Sequence, residues 1–187
     1  MKKIGPIGLI SLIGLMFLIQ ETHAASYYGT IKKELRKGSQ YSTDNFHASL
    51  IWSVLPLTDK ILRAQAKKYQ KVYGVSEAER MEFYESLLKK KDSKTLFFIS
   101  FYSYNQKFND LTSKPAHWDL RLKKAGKEQK PQRIEKNANP TPFDRVFYPQ
   151  LDYWAAGYFV WFDGDLDSPY SLILHGPEAH STLEWKK

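Results

Sequence analysis

Two uncharged stretches constrain the fold more than anything else in the chain. They are Thr95-Leu-Phe-Phe-Ile-Ser-Phe-Tyr-Ser-Tyr104 and Tyr153-Trp-Ala-Ala-Gly-Tyr-Phe-Val-Trp-Phe162. Both are rich in aromatic and β-branched residues and read as buried strands. The second is apolar on both faces, so it is expected to be the longest strand and a central one. Shorter strands surround them. Phe46 to Leu55 is apolar and stops at Pro56. His117 to Leu122 alternates, with Trp118, Leu120 and Leu122 on one face and His117, Asp119 and Arg121 on the other. Gln132 to Glu135, after Pro131, suits an edge. Tyr170–His175 and Ser181–Trp185 form a closing hairpin across Gly176-Pro177.

Between Pro56 and Ser93 the period changes to that of helices. Thr58 can cap a first helix running to Tyr73, with Leu62, Ala66, Tyr69 and Tyr73 on one face and Gly74 at its end. Ser76-Glu-Ala-Glu79 is a capping box that opens a second helix, with a stripe of Met81, Tyr84 and Leu88 and with Lys89 to Lys91 at the negative end of the dipole. Gly74-Val75 is short enough for an αα-hairpin. Ser26 to Asn45 is mixed and polar, and Asn137 to Asp144, with Pro140 and Pro142, reads as loop.

Aromatic strands at fairly regular spacing point to a mainly β protein with an α insertion. It would be an antiparallel immunoglobulin-like β-sandwich carrying a helical hairpin at about 58–91. The competing arrangement is an α+β layer, with both helices flat on one sheet.

The N-terminus predicts export. Lys2 and Lys3 precede an uncharged stretch from Ile4 to Ile19, and Thr22 and Ala24 are the small residues that a signal peptidase needs, so residues 1–24 read as a signal peptide cut after Ala24. Residues 25–187 would then form one domain. The chain has no cysteine, which removes disulfides, thiolate metal sites and the lipid attachment of a lipoprotein. The expected location is the periplasm or the outside of the cell, with no transmembrane segment after cleavage.

The order of elements resembles a class of uncharacterised exported bacterial β-sandwich proteins. The residues that carry the likeness are Trp118-Asp-Leu-Arg-Leu122, Phe147-Tyr-Pro149, the aromatic run Tyr158-Phe-Val-Trp-Phe162 and Leu172-Ile-Leu174. The resemblance covers about Leu96 to Trp185 and implies a sandwich fold and residence in the envelope, but no activity.

Charge is unevenly placed. Residues 25–143 carry a net +11 and residues 144–187 a net −4. Such asymmetry suggests an anionic partner, and export argues against nucleic acid in favour of an anionic envelope component or an envelope protein. Lys123, Lys124, Lys127 and Lys130 fall in one turn and are the candidate contact. Asp163, Asp165 and Asp167 alternate as calcium ligands can, but the EF-hand's glycine and closing glutamate are replaced by Ser168 and Leu174, and a solvated hairpin turn is the favoured reading, with a calcium site the alternative. His175, Glu178 and His180 have zinc-ligand chemistry, but Gly176-Pro177 prevents the helix of a His-Glu-x-x-His site. No nucleophile elbow, phosphate loop or dinucleotide fingerprint occurs, so no catalytic residue and no cofactor is assigned. The expected function is a non-catalytic envelope binding or assembly module with a basic surface. The alternatives are a secreted enzyme acting on an envelope polymer and a carbohydrate-binding module that stacks exposed aromatics on sugar rings. Trp154 and Trp161 are an odd number of residues apart, so in one regular strand they would face opposite ways.

Overall fold

The structure is a computed structural model that describes residues 26–186. The expected signal peptide, residues 1–24, and its expected cleavage point lie outside the described residues. The fold is mixed α/β, with two antiparallel sheets and four helices. The elements are α1 (Tyr27–Glu34), β1 (Arg36–Tyr41), β2 (Ala48–Pro56), α2 (Asp59–Tyr73), α3 (Glu77–Lys91), β3 (Thr95–Tyr102), β4 (Asp119–Lys124), β5 (Lys127–Gln129), β6 (Arg133–Asn137), α4 (Pro142–Phe147), β7 (Ala156–Phe162), β8 (Tyr170–His175) and β9 (His180–Trp185). The first sheet has the order β1-β2-β3-β7-β6 and the second β5-β4-β8-β9.

Alternation along three strands of the first sheet divides the core in two. Leu50, Trp52 and Val54, then Phe97, Ile99 and Phe101, then Tyr158, Val160 and Phe162, point at the second sheet and meet Trp118, Leu120, Leu122, Leu172 and Leu174 there. Leu55, Leu96, Phe98, Phe159 and Trp161 point the other way, under Ile61 and Leu62 of α2, Tyr27 and Ile31 of α1, and Phe147 of α4. Three layers result, in the order helices, first sheet, second sheet. The two arrangements considered from sequence are thus combined: a sandwich, with helices lying flat on one of its sheets. The sandwich is closed along β1 and β9, where Trp52 Nε1 donates to Ser181 Oγ at 2.9 Å and Arg36 Nε donates to the Glu184 carbonyl at 3.0 Å.

The helical hairpin sits where expected, between β2 and β3. Thr58 caps α2, Gly74 ends it at φ 65°, and Ser76 and Glu79 form the capping box of α3. The faces differ from expectation. Ile61, Leu62, Gln65 and Ala66 carry the buried side of α2, whereas Tyr73 is exposed. α3 has no fully buried residue, and its contact stripe is Phe83, Tyr84, Leu87 and Leu88 rather than one through the exposed Met81. α3 is outermost, stacking Phe83 on Tyr69 of α2 with ring centroids 4.2 Å apart.

Three other expectations are corrected. The polar stretch Ser26–Asn45 contains α1 and β1; β1 lacks an apolar pattern and gains its order from pairing with β2, Gly38 against Trp52. The proline-bearing loop starts α4, because Thr141 and Asp144 form a capping box and Pro142, with no N–H to satisfy, suits the first turn. β7 begins at Ala156, lies between β3 and β6, and is shorter than the nine residues of β2. Asp152 Oδ1 accepts from the backbone N–H groups of Trp154 and Ala155 at 2.9 and 2.8 Å, which turns the chain and keeps Tyr153 and Trp154 out of the strand. Trp154 is therefore exposed, while Trp161 is 1% exposed in the helix-side core. Among the described residues no helix is long and apolar enough to cross a membrane.

Candidate functional site

The helices cover only part of the outer face of the first sheet. Under them the outward positions are large: Leu55, Phe98 and Phe159 face across one rung. On the next rung they become small, with Ser53 opposite Ser100 and Ser100 opposite Gly157. On the rung beyond, Ile51 stands between Ser39 and Tyr102. The small side chains leave a depression of about 320 Å³, walled by β1 on one side and by Gln150, Asp152 and Ala155 on the other. Both amide atoms of Gln150 are buried and without a hydrogen-bond partner among the described residues.

A larger cleft of about 1110 Å³ adjoins this depression at the end of the sheet and shares Tyr41 with it. Four of its lining residues are exposed aromatics: Tyr41 at 55%, Tyr104 at 53%, Tyr153 at 82% and Trp154 at 78%. Three of them are held in place. The Asp152 turn fixes Trp154, the Arg145 guanidinium lies 4.0 Å from the centre of the Tyr153 ring, and His47 packs on Tyr104 with ring centroids 3.8 Å apart and planes tilted by 32°. Amides stand between the rings. Asn45 Oδ1 accepts from His47 N at 3.0 Å and Asn109 Oδ1 from Ser103 N at 2.9 Å, and neither Nδ2 has an acceptor among the described residues. Asn105 Nδ2 donates to Glu178 Oε1 at 2.8 Å. Glu178 is the single carboxylate in this lining, which contains no lysine or arginine.

The residues singled out from sequence do not assemble into one site. Lys124 lies on the same face as Leu122, donates to the Asp165 carbonyl at 2.8 Å and pairs with Asp167 at 3.0 Å. Lys127 stands opposite it across the β4–β5 turn, Lys123 is on the other face of β4, and Lys130 reaches Asp119 at 4.0 Å. The acidic loop is not a hairpin turn: it carries the chain from β7 in the first sheet to β8 in the second. Its carboxylates diverge, Asp163 towards Lys94 at 3.6 Å and Asp167 towards Lys124. His175 and His180 face each other with ring centroids 6.1 Å apart, while Glu178 is turned to Asn105. Among the described residues no three His, Asp or Glu side chains are grouped to hold a metal ion.

The larger cleft, a trough at the end of the sheet, was hidden in the sequence by separation, since its residues come from the β1–β2 loop, β3 and its exit, the turn before β7 and the last hairpin. One signal was available. Ser49, Ser53 and Ser100 interrupt otherwise large outward positions of two strands, which marks where the helical cover ends. No protein-family model matches the chain, and no curated protein matches it.

Proposed function

We propose that the protein is a non-catalytic binding module whose seat for a neutral oligosaccharide is this trough. The observation that carries the reading is the gathering of Tyr41, Tyr104, Tyr153 and Trp154, all exposed, around one cleft with amide side chains between them. Grouped exposed rings on a folded domain mark a binding surface. Rings that contact the apolar faces of sugars, with amides beside them to meet hydroxyl groups, supply both interactions that a pyranose presents, and a lining with one hydrogen-bonded carboxylate and no lysine or arginine suits an uncharged ligand. A glycoside hydrolase usually needs two carboxylates about 5–9.5 Å apart. The lining supplies only Glu178, already bonded to Asn105, and this favours binding over hydrolysis.

The sandwich itself is proposed to be immunoglobulin-like. In support, β2-β3-β7-β6 has the order of the A-B-E-D sheet and β5-β4-β8-β9 that of C′-C-F-G. Trp118, buried just before β4, then takes the place of the tryptophan on strand C. In this reading β1 is an added edge and the helical hairpin is an insertion between A and B. Export to the periplasm or the cell surface, as an envelope component like the exported bacterial proteins it resembles, is part of the same proposal.

The test is a glycan array followed by titration with the best neutral ligand, read by tryptophan fluorescence. Binding that falls at least tenfold in Tyr153→Ala/Trp154→Ala is the expected result. No retained glycan, or equal binding by the double variant, overturns the assignment.

A further inference from the structure

A second depression, of about 890 Å³, lies between α1 and α2, away from the trough. Its wall on α2 carries Lys60, Arg63, Lys67, Lys68 and Lys71, and the segment from Lys60 to Lys71 contains no acidic residue. Lys60, Arg63, Lys67 and Lys71 recur every three or four residues, with Lys68 beside them, so the cations form a row about 16 Å long at a rise of about 1.5 Å per residue. Lys60, Arg63, Lys67 and Lys71 are exposed. Lys60 alone has a carboxylate partner, Glu34 at 3.8 Å; among the described residues none of the other four is ion-paired.

Among the described residues, besides the Lys60–Glu34 pair, the row serves the fold only through two cation–ring contacts, Arg63 5.5 Å from the centre of the Tyr84 ring on α3 and Lys68 4.8 Å from that of Tyr28. α2 is seated by Ile61, Leu62, Gln65 and Ala66 on its opposite side. Like charges four apart, such as Arg63 with Lys67 and Lys67 with Lys71, destabilise a helix. A helix that needed only solubility would interleave the two signs.

Shape and chemistry limit the occupant. A depression walled by a row of cations on α2 and by α1 on the other side fits a chain laid along that row. Single-stranded nucleic acid calls for aromatic platforms on which successive bases stack; here Tyr27 is buried, and the ring of Tyr28 is already met by Lys68 Nζ at 4.8 Å. We propose that the α1–α2 groove binds a strand of anionic polysaccharide through Arg63, Lys67, Lys68 and Lys71. The choice of polymer rests on the reading of the trough as a glycan seat, so that one protein holds a neutral and an acidic portion of envelope glycan at two places.

The experiment is affinity electrophoresis of the full chain in gels containing polygalacturonate or dextran sulfate, with uncharged dextran as reference; the two polymers separate carboxylate from sulfate esters as the preferred anion. The expected result is retardation by an acidic polymer that fades as salt rises from about 0.05 to 0.5 M, through screening. Apparent affinity should drop at least tenfold in Arg63→Gln/Lys67→Gln/Lys71→Gln and stay within twofold in Lys123→Gln/Lys127→Gln/Lys130→Gln, which removes equal charge elsewhere. It should also survive Tyr153→Ala/Trp154→Ala, so that failure of the trough and failure of the groove are told apart. No retardation, equal loss in the two triple variants, or tighter binding to polyglutamate, a thymidine oligonucleotide or phosphatidylglycerol vesicles overturns the proposal. Circular dichroism of each variant shows that the fold is kept.

Discussion

Gly176 lies flat against the indole of Trp118: a Cβ built at position 176 would stand 2.3 Å from Cε3 and Cζ3 of that ring. The close approach is made between the β8–β9 turn and the residue just before β4. It fixes Trp118 over Phe101, ring centroids 5.1 Å apart and near perpendicular, while Nε1 donates to the Phe108 carbonyl at 2.6 Å. One side chain thus joins both sheets and the segment after β3.

Trp118→Ala is expected to cost ~3–5 kcal/mol, as truncation of large buried aromatics does. Gly176→Ala should cost ~1–3 kcal/mol through overpacking alone. Urea unfolding of both variants checks this. A loss below about 1 kcal/mol for Trp118→Ala would mean that the indole is not part of the inter-sheet core.

The trough makes the opposite prediction. Tyr153 and Trp154 are largely exposed, so Tyr153→Ala/Trp154→Ala should stay within about 0.5 kcal/mol of the native stability while losing glycan affinity. A large fall in melting temperature for this pair would show that the rings serve the fold rather than a ligand.

How far the sequence reveals all this depends on how local each signal is. Thr58, Gly74, Ser76 and Glu79 mark helix ends through contacts three or four residues away, and those helices are where they were expected. Trp118, Leu120 and Leu122 alternate without interruption, and their face is the buried one. β1 was missed because Arg-Lys-Gly-Ser-Gln-Tyr becomes a strand only when β2 pairs with it. The extent of β7 was misjudged because the chain turns on Asp152, a side chain outside the apolar run. The trough was missed because a concave surface exists only after four distant segments meet, and the cover of α1, α2 and α4 decides which part of the sheet stays open.

α3 should be the least protected of the long elements. It has no fully buried residue, and local opening is easiest where few apolar contacts are lost. Amides of α3 should exchange with solvent faster than those of β3, in hydrogen-exchange mass spectrometry. Ser76→Ala removes the cap, at ~1 kcal/mol, and should speed exchange within α3 about fivefold while β3 is unchanged. Uniform acceleration of both would mean that α3 opens only with the whole domain.

The last prediction concerns acid. Asp110 is partly buried, which raises its carboxyl, but hydrogen bonds from Lys136 Nζ at 2.9 Å and from Thr112, together with the Lys136 charge, outweigh burial and bring it down to about 2 from an ordinary 3.8. The same carboxylate accepts from the Tyr158 hydroxyl at 3.2 Å; burial first, then the Asp110 charge, pushes that phenol well above its usual range. A carboxyl whose native value is depressed binds its proton more readily in the unfolded chain. Its contribution is therefore complete above about pH 4 and is lost as pH falls towards 2. Asp110→Asn keeps the shape but not the charge, and should cost about 1 kcal/mol at pH 7. The gap between the native and variant melting temperatures should close between pH 4 and pH 2. A gap that stayed constant across that interval would show that Asp110 acts through its shape and neutral hydrogen bonds, with its charge contributing nothing.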